Sequence, residues 1–332
     1  MTGGPPAGLA RERHDDDVDS SGEATIPLSA AEFRVLRDLL LGFAGIRFDD
    51  DTAFLLQRRL QPRLLELRLS SFSRYADYLR DPLLSPAAQR AELQALFERV
   101  ATRETYLFRE SYQLDALREE ILPPLLARRR RGERLSLWSA GCSTGEEVYS
   151  LAITAALAGA GQGQGDDGEP AVQVLGTDLS QDALQVARAG VYGSSSFRQT
   201  SVALRDRYFE PIASTGPSAP LRTGAGAAQR WRVRDAIRRM VRFQSLNLHQ
   251  AAWEDVGGPH DVILCRNVLI YFDRALRPAV IARLTRCLAP GGYLLLGHSE
   301  TLRDSQPGLT LCNLRHAQVY RRSEDHDEQR RT

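Results

Sequence analysis

From Ser29 onward the apolar positions recur at helical spacing. Ser29 reads as an N-cap with Glu32 three residues on, and Phe33, Leu36, Leu39, Leu40 and Phe43 follow three or four apart. A second amphipathic run carries Phe54, Leu55, Leu60, Leu64, Leu65 and Leu67, with Arg58, Arg59, Arg63 and Arg68 interleaved. Tyr75, Tyr78 and Leu79 mark a third helix, and Leu93, Leu96, Phe97 and Val100 a fourth. The pattern predicts a small all-helical domain over 25–101. Beyond it, strand-like and helical segments alternate, which implies a mostly parallel sheet covered by helices. The predicted strands are 135–140, 172–177, 241–244, 262–265 and 293–297, with 318–321 as a terminal edge strand. The predicted helices are 146–157, 181–189 and 274–288.

Composition bounds the picture further. Residues 1–24 are rich in Gly, Pro, Asp and Ser and read as a disordered leader, with 323–332 as a disordered tail. Two stretches break the α/β rhythm, Gly159–Pro170 and Pro211–Arg230, and read as insertions. The second, near 209–232, is large enough to flank a small inserted subdomain within a 102–322 domain. With 43 basic and 42 acidic residues the chain carries a net charge of +1, which argues against a general nucleic-acid binder. All 43 basic residues are arginine. P-loop, protein-kinase and Schiff-base chemistry, each of which needs a lysine amine, are therefore excluded. Cys142, Cys265, Cys287 and Cys312 are far apart and show no C-x-x-C spacing, so they read as buried free thiols and no metal site is expected. No apolar run approaches the ~18 residues needed to span a bilayer, and the N-terminus has no signal-peptide core; a cytoplasmic protein is expected.

The first strand of the second domain runs into Gly141-Cys142-Ser143-Thr144-Gly145-Glu146-Glu147 and then a helix. Glycines there allow a ligand close to the backbone, and the helix N-terminus offers free N–H groups. The spacing is G-x-x-x-G, not the dinucleotide G-x-G-x-x-G. Thr144 and Glu147 also fit a capping box. The second strand ends at Asp178, where an acid accepts ribose hydroxyls, as NAD and S-adenosylmethionine both require; Asp178 or Ser180 alternatively caps the next helix. Tyr106 and Phe108 at the domain junction read equally as anchors between the domains. Arg266, Asn267 and Tyr271 fall near the carboxyl edge of a later strand, where α/β sheets bind ligands. Of six scattered histidines, His298 beside Glu300 reads as packed or capping.

The blocks TRETYLFRE, WSAGCSTGEEVYSLA, GTDLSQDALQVARAGVY, LNL, DVILCRNVLIYFD and LAPGGYLLLGHSE, in this order, resemble those of the CheR-type chemoreceptor glutamate O-methyltransferases. The resemblance covers about residues 28–322. It implies an α/β architecture: an all-helical N-terminal domain, then a Rossmann-like S-adenosylmethionine-dependent methyltransferase domain with a mostly parallel sheet and a small inserted subdomain. It implies S-adenosylmethionine as cofactor, glutamate side chains on chemoreceptor cytoplasmic domains as acceptors, and no nucleic-acid partner or membrane insertion. Carried over residue by residue, Arg103, Thr105, Arg109, Glu147, Asp178, Asn247, Leu248, Arg266 and Asn267 would bind the cofactor. Arg109 and Tyr271 would border the reaction centre, and Arg59 and Arg63 would meet the acidic receptor. The chain departs from the family in carrying Arg103 where asparagine is common, Val148 where proline is usual, and longer segments at 159–170 and 211–230. With that last segment so long, docking of a receptor C-terminal pentapeptide is not expected. The readings set against this one are an NAD-dependent oxidoreductase and a catalytically inert receptor adaptor.

Overall fold

The computed structural model describes residues 25–130, 132–160, 170–212, 229–251, 253, 256–302 and 306–324. The predicted leader, most of the predicted tail, and residues 161–169 and 213–228 of the two predicted insertions lie outside the described residues.

The N-terminal helices are α1 (Ala30–Ala44), α2 (Ala53–Glu66), α3 (Phe72–Leu79) and α4 (Pro86–Val100). The expected capping box opens α1: Ser29 Oγ accepts the Glu32 N–H at 3.3 Å, and Glu32 Oε2 accepts the Ser29 N–H at 2.8 Å. In α2 the buried stripe is Leu56, Leu60 and Leu64, spaced four apart. Phe54, Leu55 and Leu65, expected on the same apolar run, instead face outward, Phe54 being 67% exposed. A leucine-rich helix offers two apolar stripes, and only packing against α1 and α4 selects one.

The second domain begins with α5 (Ser111–Ala116), which runs through a π-type turn into α6 (Leu122–Arg128). Then come β1 (Leu135–Ala140), α7 (Glu146–Ala155), β2 (Val172–Asp178), α8 (Gln181–Ala189) and β3 (Val191–Gly193). Next are α9 (Val202–Tyr208), β4 (Phe209–Ile212), β5 (Arg230–Val233), α10 (Asp235–Arg238) and β6 (Val241–Ser245). The chain closes with β7 (His260–Cys265), α11 (Arg277–Cys287), β8 (Leu288–Leu296), β9 (Leu309–Asn313) and β10 (Gln318–Arg322). The main sheet has the order β6-β2-β1-β7-β8-β10-β9, with the first five strands parallel and the β9–β10 hairpin antiparallel. The segment 318–321 is therefore not the edge strand it was expected to be. That place belongs to β9, whose weak alternation (Leu311 is exposed) hides it in the sequence.

Successive residues of β1 and β7 face opposite sides, as the two-residue strand period requires. Leu137, Val262 and Leu264 pack with α7 and the α5–α6 segment, while Trp138, Ile263 and Cys265 pack with α11. A separate antiparallel sheet, β3-β5-β4, flanks residues 213–228, where the sequence placed a small subdomain. No described helix is long and apolar enough to cross a membrane.

Candidate active site

The carboxyl ends of the parallel strands converge with the α1–α2 connection on one cavity of about 410 Å3. Every sequence-predicted site residue lines it except Arg63.

After β1 the chain must turn sharply. The N–H groups of Gly141 and Cys142 both donate to Thr177 O, at 2.8 and 2.9 Å. Gly141 has φ +81, and a Cβ there would lie 2.4 Å from Val268 Cγ2, so both the conformation and the space demand glycine. Ser143 is left-handed (φ 50), its N–H donates to Asp178 Oδ2 at 2.7 Å, and its buried hydroxyl has no partner among the described residues. Asp178 Oδ1 accepts the Ser180 N–H at 2.8 Å, and Ser180 Oγ, not Asp178, caps α8 by accepting the Ala183 N–H at 3.0 Å. Burial raises the Asp178 carboxyl above its ordinary value, opposed by those two backbone bonds. A carboxylate has about four acceptor sites, so Asp178, which lines the cavity, keeps acceptor capacity beyond these two bonds.

The capping box read at Thr144 and Glu147 does not form. Gly145 is the N-cap of α7, and the Thr144 hydroxyl donates to Glu146. Glu147 instead accepts from Ser139 Oγ at 2.7 Å and from Arg266 Nε at 2.8 Å. The Arg266 side chain is 1% exposed, and its remaining nitrogens donate to Gln113 Oε1 and Arg109 O. A buried ion pair this well satisfied fixes both members in place.

Arg109 lies between two residues in left-handed backbone, Phe108 (φ 60) and Glu110 (φ 52), a conformation costly for side chains with Cβ. The Phe108 N–H donates to Ser150 Oγ at 2.8 Å and the Leu107 N–H to Ser196 O at 2.9 Å, which holds the strained segment. Arg109 Nη1 donates to Glu104 O at 2.7 Å. Phe108 packs in the α7 side of the sheet core, and Tyr106 lies under Arg198 at 3.6 Å, so neither ring bridges the domains as the junction suggested.

Several predicted contacts are already engaged within the protein. The Arg103 guanidinium pairs with Glu98 at 2.5 Å and Asp182 at 3.5 Å. Asn247 Nδ2 donates to Phe43 O at 2.7 Å, tying β6 to the helical domain. Arg63 forms a bridge with buried Glu92 at 2.6 Å and with Glu66, which turns it away from solvent; Arg59, exposed, donates to Val100 O and stays at the cavity rim. His298 is neither packed nor capping: it is exposed, bonded to Ser299. Cys142 and Cys265 are buried, with thiols raised by burial, while Cys287 and Cys312 are half-buried. Among the described residues no group of three or more His, Cys, Asp or Glu side chains is arranged to hold a metal ion. Three features escaped the sequence reading: the Ile46–Phe48 stretch of the cavity lining, the Ser143 hydroxyl, and Glu300, whose carboxylate accepts backbone N–H groups of the 267–270 segment. Only Glu300, an acid just past a strand end, left a signal.

A mostly parallel sheet with a glycine turn after its first strand, an acid at the end of its second, and a cavity at its carboxyl edge defines the Rossmann-like class of cofactor-binding domains. Residues 31–101 match the CheR methyltransferase all-alpha domain and residues 103–317 the CheR methyltransferase SAM-binding domain. The chain belongs to the CheR methyltransferase family. It is 34% identical to a probable chemotaxis protein methyltransferase of Rhizobium etli, over 77% of this chain and 87% of that one. It is 36% identical to the chemotaxis protein methyltransferase of Salmonella typhimurium, over 83% and 85% of the two chains. It is likewise 36% identical to chemotaxis protein methyltransferase 2 of Pseudomonas aeruginosa, over 81% and 86%.

Proposed function

We propose that this methyltransferase esterifies glutamate side chains in the cytoplasmic domains of chemoreceptors, working in the cytoplasm with S-adenosylmethionine as methyl donor. The observation that carries the reading is the convergence of Asp178, Glu147, Arg109 and Tyr271 on a single cavity at the sheet's carboxyl edge, in a chain whose relatives are named for chemotaxis. The cavity fits such a cofactor: in its lining the buried Ser143 hydroxyl has no partner among the described residues, beside the Asp178 carboxylate whose Oδ2 accepts the Ser143 N–H.

In this reading Asp178 holds the ribose through its remaining acceptor capacity, and Glu147 takes the amino group. Arg109 takes the cofactor carboxylate, bidentate pairing being what a guanidinium does best. Thr105 and Asn267 line the same space, and Leu248 packs against the base while the Asn247 amide holds that strand end to the helical domain. Arg266 acts by fixing Glu147, and Arg103, engaged by Glu98, supports the wall. When bound, S-adenosylmethionine supplies a methyl group on a cationic sulfur. The attacking glutamate is already ionised, its ordinary pKa being about 4.3, so no general base is needed. Tyr271, 38% exposed, is placed to orient the acceptor, and orientation in a partly dried site supplies the acceleration. At the rim, exposed Arg58 and Arg59 of α2 meet the acidic receptor surface.

Incubation with labelled S-adenosylmethionine and receptor cytoplasmic fragments is expected to give base-labile release of labelled methanol, the mark of a carboxyl methyl ester. Base-stable label would overturn the acceptor assignment. Asp178→Ala is expected to weaken S-adenosylhomocysteine binding at least tenfold, about 1.4 kcal/mol, by calorimetry; an unaltered Kd would refute the ribose role.

A further inference from the structure

One wall of the cavity is the segment 267–271, which carries Asn267 and Tyr271 and whose only regular structure is a single 3-10 turn, Leu269–Tyr271. We infer that Glu300 is the positioning residue of that wall, its carboxylate setting the backbone that presents Asn267 to the cofactor. Oε2 accepts the N–H groups of Asn267 at 2.7 Å and Gly297 at 2.9 Å, while Oε1 accepts those of Val268 at 2.9 Å and Ile270 at 3.1 Å. Four backbone donors thus point at one carboxylate that is 7% exposed. Asn267 sits at φ 56, a left-handed conformation that asparagine tolerates better than most residues with a Cβ. Gly297 is shaped around the same group: a Cβ there would lie 2.7 Å from Glu300 Oε2 and 2.8 Å from Asn267 N. The far end of the loop is anchored independently, by the Arg47 N–H on Tyr271 O at 2.9 Å and the Asp273 N–H on Gly45 O at 3.2 Å. The near end therefore depends on Glu300.

Only an acceptor with two equivalent oxygens satisfies this arrangement. An amide of the same shape replaces one oxygen with an NH2 group, which confronts two N–H donors with further donors. Glu300→Gln therefore keeps the volume and removes the function.

The inference rests on the cofactor reading only for its second readout. In the protein without ligand, Glu300→Gln is expected to speed hydrogen exchange of the peptide spanning 266–272 at least tenfold while leaving β1 unchanged. It is also expected to weaken S-adenosylhomocysteine binding about tenfold, and to add little further loss in an Asn267→Ala background, because the residue acts through Asn267. Unchanged exchange, unchanged affinity, or an equal loss in the Asn267→Ala background each overturns the assignment. Failure of the unmodified protein to bind S-adenosylhomocysteine would instead strike the cofactor reading and leave the exchange result standing. If Glu300→Gln does not fold, Glu300→Asp, which keeps the charge and withdraws the oxygens by one methylene, carries the same test.

Discussion

His260 opens β7 against Trp138, with ring centroids 5.2 Å apart, and its Nδ1 is bonded to Ser136 Oγ at 2.8 Å. Its Nε2 is buried without a partner among the described residues. Burial, with the nearby Arg242 charge, pushes its pKa down from 6.5 to about 4. In the unfolded chain this ring takes a proton below about pH 6.5, whereas in the folded protein it stays neutral down to about pH 4. The unfolded state binds more protons across that window, so stability is full above it and declines as pH falls, by up to about 3 kcal/mol from this residue. Denaturant unfolding between pH 7 and pH 4 is expected to show a shallower decline in His260→Gln than in the parent. Equal slopes would mean the ring is protonated in the fold. The same residue-level logic separates two neighbouring arginines. Arg63 answers a buried carboxylate, Glu92, that also accepts from Tyr75, whereas Arg59 is exposed and spends one Nη1 bond on Val100 O, with no carboxylate among the described residues to neutralise it.

At the scale of elements, the strand-to-helix turns line the candidate site because strands end where backbone groups lose their ladder partners. The turn after β1 is the tightest of them. Gly141→Ala forces a Cβ into Val268 at a positive φ, and overpacking of this kind costs about 1–3 kcal/mol. Thermal unfolding is expected to show a clearly lowered Tm, with weakened S-adenosylhomocysteine binding because Val268 lies on the Glu300-held loop. A Tm equal to that of the parent would mean the turn relaxes freely. These turns were legible as glycine-bearing strand ends. Their partners were not: the acid that holds the Asn267 loop lies 33 residues away in sequence.

For the whole molecule, the helical domain lines the same cavity as the sheet domain. The Glu98 carboxylate of α4 reaches the start of α8, taking the Gln181 N–H at 2.7 Å and the Ser180 hydroxyl at 2.5 Å, where a negative charge suits the helix N-terminus. Asn247 bonds Phe43 O, and Ile46 forms a bridge with Phe272, so the cavity is closed from both domains. Glu98→Ala is expected to lower S-adenosylhomocysteine affinity several-fold while the far-ultraviolet dichroism stays that of the folded chain, since the contact joins domains rather than building either core. Unaltered affinity would show that the cofactor is held by the sheet domain alone.

The sequence by itself determined the alternation of helix and strand, the helical domain before it, the glycine turn, the acid after β2, and the exclusion of lysine chemistry. Those features are local: a few residues' spacing, or a composition, is enough to fix them. What only the tertiary structure decided is which polar side chains remain open to a ligand. Arg63, Arg103, Arg266 and Asn247 carry the right chemistry in the right order, yet each already has a partner inside the protein. Asn247 meets Phe43 across 204 residues and Arg266 meets Glu147 across 119. Buried polar groups must be satisfied, and the groups that satisfy them come from wherever the fold brings the chain back.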